Sequence, residues 1–113
     1  MRVLRTATFR ARLLQIASFF DSAHAPQVFD RLLDDLEAVI FPNLARFPEL
    51  GARYVDGPPQ STEAVMALSR LPGDAPQWLR KYVHDDFVIL YASLPEAVHL
   101  LSVRHHRESS FNP

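Results

Sequence analysis

Basic and aromatic side chains in the C-terminal third of the chain are the residues best suited to chemistry. Cleavage of RNA without a metal ion needs a base for the 2'-hydroxyl, cations for the charge that develops on the phosphate, and an acid for the leaving oxygen. Arginine, tyrosine and histidine can supply most of these groups. The residues of these types that we select in or beside strand-like segments are Arg80, Tyr82, Tyr91, Arg104, His105, His106 and Arg107.

Each of these residues also has a purely structural interpretation. A histidine at the end of a strand more often forms an ordinary hydrogen bond than takes part in catalysis. Tyr82 and Tyr91 fit amphipathic sheet positions, with the ring packed and the hydroxyl in water. Arg104 and Arg107 suit contacts with phosphate, and they suit the acidic groups of a protein partner equally well.

The sequence predicts neither a cofactor nor a metal site. The chain has three glycines, and they form no nucleotide-binding loop. His105 and His106 are adjacent in a predicted strand, so their side chains point to opposite faces, and no third ligand lies at a recognisable spacing.

The elements that must position these residues begin with a strand and two helices. Residues 2 to 8 are predicted to form the strand. Apolar residues then recur every three or four positions and predict a helix that ends near Ser22, with a stripe formed by Phe9, Leu13, Ile16 and Phe20. Pro26 suits the first turn of a second helix, whose apolar face is formed by Phe29, Leu32, Leu33, Leu36, Val39 and Ile40. Pro42 is expected to kink or end that helix.

Three segments rich in β-branched and aromatic residues follow, at 78 to 83, 87 to 91 and 98 to 104. Short connectors predict that they pair as antiparallel hairpins. The predicted fold class is therefore α+β: an N-terminal strand, an α-helical hairpin and a three-stranded antiparallel meander, with the helices on one sheet face. Strand alternation is expected to turn Leu79, Val83, Val88, Leu90, Leu101 and Val103 towards the helices. The open face would then hold Arg80, Tyr82, Tyr91, Ser102, Arg104 and His106.

Composition limits the class of protein. With 113 residues and 48% hydrophobic content, the chain suits one domain over residues 1 to 113, with an irregular segment at about 52 to 77. It has no cysteine, and we expect no membrane span and a cytoplasmic location. The net charge is -1, so bulk charge does not predict a nucleic-acid binder. Residues 1 to 25 nevertheless hold four arginines against one acid, whereas residues 26 to 76 hold four basic groups against eight acids.

From about Phe9 to Phe111 the sequence resembles the RelE/ParE toxin superfamily. The resemblance rests on the helical hairpin, the stop at Phe47-Pro48-Glu49-Leu50-Gly51, the hairpin at residues 82 to 91, and the ending at residues 98 to 107. It departs from the common pattern in the longer stretch at 52 to 77. The resemblance implies a cytoplasmic toxin that a cognate antitoxin holds inactive, with operator DNA bound only through the antitoxin.

Two branches of the superfamily imply different roles for the same residues. YoeB-like members cut mRNA on the ribosome, and their last strand ends in an arginine, an aromatic residue, a histidine and a tyrosine. Arg104 and His106 correspond to the anion-stabilising arginine and the general acid, while Arg107 stands where the tyrosine is expected. No carboxylate matches the general base, because Glu63 lies in the insertion. ParE-like members inhibit DNA gyrase without cutting RNA, and His105 corresponds to their histidine.

The incomplete catalytic set favours the ParE-like branch. We therefore predict a toxin of a type II toxin-antitoxin system, of the kind associated with growth inhibition and plasmid stabilisation, that inhibits DNA gyrase by contact. Target- or antitoxin-binding residues would be Arg80, Tyr82, Tyr91, His105 and Arg107. One alternative is a ribosome-dependent mRNA endonuclease that uses Arg104 and His106. Another is a non-toxic module that only binds the antitoxin.

Overall fold

A computed structural model describes residues 1–53 and 78–105, in which a five-stranded sheet carries a layer of helices. The strands are β1 (Arg2–Arg5), β2 (Ala52–Arg53), β3 (Leu79–His84), β4 (Phe87–Ser93) and β5 (Ala97–His105). The helices are α1 (Ala7–Ser22), α2 (Pro26–Asp35) and α3 (Phe41–Arg46), with a single π-helical turn at Leu36–Ile40 between the last two. The predicted α+β class is confirmed.

The sheet is mixed, in the order β1-β5-β4-β3-β2. Strand β1 runs parallel to β5, whereas β3 pairs with β4, and β4 with β5, in antiparallel fashion. The predicted order of one strand, a helical hairpin and a three-stranded meander is wrong, because the short strand β2 precedes the last three strands and pairs with β3. Strand β1, for which the sequence predicts no partner, lies at the opposite edge of the same sheet beside β5.

The first helix begins earlier than the sequence predicts, because Thr6 caps it instead of continuing the strand. Thr6 Oγ1 accepts a hydrogen bond from the Phe9 amide at 3.2 Å, as N-cap threonines do. The same hydroxyl donates to the Leu100 carbonyl at 2.6 Å. This side chain therefore fixes the start of α1 to strand β5.

The first helix ends at Ser22 and, after a short turn, the second helical segment starts at Pro26, as the sequence predicts. Pro42 does not end it. Proline has no N–H to donate, and the π-helical turn places the Phe41 amide on the Leu36 carbonyl, five residues back. The helix then continues as α3 to Arg46.

The main core lies between the helices and one face of the sheet. Phe9, Ile16 and Phe20 of α1 are buried there, as the predicted stripe requires. The second helical segment contributes Leu32, Leu36, Ile40 and Leu44, but Leu33 and Val39 are each 39% exposed, contrary to the prediction. The sheet supplies Phe87, Ile89, Tyr91, Val98, Leu100 and Val103.

The other face of the sheet is also apolar and buried, so the predicted open face is wrong. A second cluster lies there, formed by Leu79, Val88, Leu90, Ala92, Leu94 and Leu101. Strand β4 is buried along its whole length. From Phe87 to Ala92 its side chains are all aliphatic or aromatic, so no alternation of polar and apolar residues shows which side faces the helices. A register shift opposite Leu90 and Tyr91 moves Leu101 to the side of Leu90 while Val103 stays with Ile89.

Most of the irregular segment proposed at 52 to 77 lies outside the described residues, which include only Ala52 and Arg53 of it. None of the helices in the described ranges is both long enough and apolar enough to cross a membrane.

Candidate functional site

Tyr91 holds the segment after α3 against the sheet. Its side chain is fully buried, and its hydroxyl donates to the Pro48 carbonyl at 2.9 Å. The same oxygen accepts from the Gly51 amide at 2.8 Å. Burial raises the pKa of Tyr91, and the hydrogen bond from Gly51 and the charge of Arg80 oppose that rise only in part. The hydroxyl therefore serves the fold in its neutral form and is not open to a ligand.

Arg80 reinforces the same attachment. Its guanidinium donates to the Gly51 carbonyl at 2.7 Å and to the Glu49 carbonyl at 3.2 Å. These bonds supply donors to backbone carbonyl groups that lie outside any helix. Residues 47 to 51, which the sequence indicates as a helix stop, are thus fastened to β3 and β4 by two side chains that were predicted to bind a target.

Glycine is required at position 51 because there is no space for a side chain there. A Cβ atom at Gly51 would lie 2.6 Å from the Lys81 carbonyl oxygen and 2.8 Å from the Tyr91 hydroxyl oxygen. The backbone of residue 51 therefore packs directly on β3 and on the Tyr91 side chain.

His105 lies in the interior, beneath α1. It is 5% exposed, and its ring makes edge-to-face contacts with Phe20 and Phe87, at centroid distances of 5.3 and 5.1 Å. Nearby, the buried Arg12 donates from Nε to the Val103 carbonyl at 3.1 Å. His105 is thus part of the packing between α1 and the end of β5, and it offers no surface for a target in this structure.

The other predicted residues divide between the two faces of the sheet. Residues opposite each other in paired strands share a face. Tyr82 lies opposite Ile89 and packs on the helix-side core, whereas Arg104 lies opposite Val88 in the far cluster. The prediction that Arg80, Tyr82, Tyr91 and Arg104 share one face is therefore wrong. His106, Arg107 and Glu63 lie outside the described residues.

An open apolar cavity lies beside the attached segment. It has a volume of about 670 Å³, and its lining includes Phe47, Leu50, Trp78 and Leu94. Phe47 is 54% exposed and Leu50 47% exposed, and both residues line this cavity. In the sequence, Phe47 and Leu50 are recognised only as part of the segment that ends the helix.

The sequence also did not reveal a polar cluster between the end of α2 and the β3–β4 hairpin. His84 Nε2 lies 2.9 Å from Asp35 Oδ2 and 3.7 Å from Asp85 Oδ2. The His84-Asp85-Asp86 run is visible in the sequence, but Asp35 is 49 positions from His84. Only the packing of α2 on the β3–β4 hairpin brings the three side chains together.

Comparison with known proteins adds no relative. No family model matches the chain, and no curated protein matches its sequence.

Proposed function

We propose that this protein is a cytoplasmic toxin of a type II toxin-antitoxin pair, of the ParE-like kind, which inhibits DNA gyrase by contact and is neutralised by a cognate antitoxin. The sequence resemblance at residues 82 to 91 and 98 to 107 supports the family. The α+β class and the antiparallel pairing of the last three strands are compatible with that resemblance.

The observation that favours contact over RNA cleavage is the position of those candidate residues that the structure describes, which do not include His106. A phosphate in an active site must be reached by acid, base and cation at the same time. Arg80 and Tyr82 lie on one face of the sheet and Arg104 on the other. The buried Tyr91 hydroxyl already bonds to Pro48 and Gly51, so these groups do not converge on one substrate.

Exposed apolar surface supports action by contact. Phe47 and Leu50 expose about half of their side chains at the rim of the cavity. Neighbouring apolar side chains of this size are the kind of surface that protein interfaces bury. An inhibitor of this type distributes its binding energy over several residues and needs no single catalytic group.

Induction in growing bacteria tests the proposal. We expect filamentation and DNA-damage signalling while bulk protein synthesis continues. His106→Ala should remain toxic at equal expression, as should His24→Asn, which changes an exposed histidine between α1 and α2. Rapid arrest of translation with mRNA cut within codons, abolished by His106→Ala but not by His24→Asn, would show a nuclease instead. Harmless induction of the folded protein would leave only an antitoxin-binding module.

A further inference from the structure

Three potential metal ligands meet where α2 packs on the β3–β4 hairpin. Asp35 is the last residue of α2, His84 is the last residue of β3, and Asp85 follows in the turn. One ligand atom from each lies within 4.8 Å of the others. The set is mixed, with one imidazole and two carboxylates contributed by two separate elements.

The distances suit a cation between these groups. In the tetrahedral coordination that zinc prefers, ligand atoms about 2.1 Å from the metal ion are separated by about 3.4 Å. His84 Nε2 and Asp35 Oδ2 are 2.9 Å apart, so a small movement of either side chain makes room for the ion. The Asp85 oxygen is 3.7 Å from the same nitrogen, and its side chain is 61% exposed, so rotation of this side chain can close the remaining distance.

The surroundings provide both support and space. Leu32 and Phe87 are buried beside the cluster, and the Tyr82 ring stacks on the His84 ring at 6.4 Å with an angle of 16° between the planes. Packing of this kind holds metal ligands in a fixed orientation. An open cavity of about 480 Å³ adjoins all three ligands, which leaves room for water molecules to complete the coordination.

Arg31 is the competing cation. Its Nε lies 4.0 Å from Asp35 Oδ2, and its side chain is 78% exposed. An exposed ion pair of this length contributes little, so a divalent ion can displace it at small cost.

We propose that Asp35, His84 and Asp85 bind a divalent transition-metal ion, and that zinc fits the set best. An imidazole nitrogen with two carboxylate oxygens suits Zn²⁺ better than Ca²⁺ or Mg²⁺, which prefer all-oxygen sites. The metal takes the place of the direct hydrogen bond between His84 Nε2 and Asp35 Oδ2, since a metal ion binds both side chains through these same atoms. Binding joins α2 to the β3–β4 hairpin and stabilises the folded protein. The site requires neither a toxin target nor an antitoxin.

Zinc titration of the tag-free full chain tests the site, with the imidazole nitrogen signals of each histidine followed by NMR. The His84 signals should shift in a saturable manner with one equivalent of zinc, and the melting temperature should rise. Asp35→Asn should weaken binding by at least about tenfold. The matched change Asp34→Asn, at an exposed position on the same helix, should leave the affinity unchanged.

Two results would overturn the proposal. In the wild-type protein, His84 signals that do not move at about 1 mM zinc would exclude a useful site, and this result needs no variant to fold. Equal zinc affinity in Asp35→Asn and Asp34→Asn would place the metal on other residues.

Discussion

Replacing Tyr91 with phenylalanine tests whether its hydroxyl serves the fold. The change removes one oxygen atom from a fully buried side chain and keeps the ring. The Pro48 carbonyl loses its donor, and the buried Gly51 amide loses its acceptor at 2.8 Å. A buried donor left without a partner costs about 1 to 3 kcal/mol, and a net hydrogen bond contributes about 1 kcal/mol. We therefore expect Tyr91→Phe to lower the free energy of unfolding by about 2 to 4 kcal/mol.

Equilibrium unfolding in urea, followed by the fluorescence of the single tryptophan, measures this loss. For a urea m value of about 1.5 kcal/mol/M, the midpoint should fall by about 1.3 to 2.7 M without a change of slope. The control is Tyr82→Phe, at a half-buried tyrosine whose hydroxyl has no hydrogen bond to the described residues. It should cost less than about 0.5 kcal/mol. Equal midpoints for Tyr91→Phe and the wild type would refute the structural role of the hydroxyl.

Three further predictions concern the same sheet. The pKa of Tyr91 is raised in the folded state, so the neutral hydroxyl stabilises the fold below about pH 10, and this contribution is lost as the pH rises further. Between about pH 9 and 11, the urea midpoint should therefore fall more steeply in the wild type than in Tyr91→Phe. Gly51→Ala should destabilise the fold by about 1 to 3 kcal/mol, because its Cβ meets the Lys81 carbonyl oxygen at 2.6 Å; an unchanged melting temperature would contradict this. Burial lowers the pKa of His99, with Arg2 adding to the effect and Glu96 opposing it. The folded protein therefore favours the neutral form of His99, and this contribution to stability is lost as the pH falls below about 6.5. Between about pH 7 and 5, the urea midpoint should fall less in His99→Gln than in the wild type, and an equal fall in both proteins would argue against this.

Much of the helical layer could be predicted from the sequence, because apolar spacing and proline act locally. The stripe of Phe9, Ile16 and Phe20 is buried as expected, and α2 starts at Pro26. The π-helical turn before Pro42 could not be predicted. Pro42 has no amide N–H to donate, yet Ile40 and Leu44 on either side of it are both buried in the core. Their burial favours a helix that continues past the proline, and the π-helical turn is how the backbone hydrogen bonds adjust to it.

The sidedness of the sheet could not be predicted, since it depends on packing on both faces. The run from Phe87 to Tyr91 is apolar at every position, and period-two alternation cannot assign a face to such a strand. The shift at Leu101 reverses the assignment within β5. As a result, Tyr91 was expected on an open face and is instead buried under the helices.

For the candidate sites, too, the residue types could be predicted from the sequence, but their arrangement in space could not. Arginines and tyrosines identified by type lie near each other in the sequence, yet Arg80 and Tyr91 bind the segment after α3 instead of a ligand. The Asp35–His84 pair needs the tertiary fold, because one partner ends a helix and the other ends a strand. Residue type thus indicated possible chemistry, and strand register decided which groups can act together.

A supercoiling assay with purified DNA gyrase tests the proposed function most directly. Added protein should inhibit supercoiling in a dose-dependent manner, and the same protein should leave mRNA intact in a purified translation system. Full gyrase activity at saturating protein, together with ribosome-dependent cleavage of mRNA, would contradict action by contact.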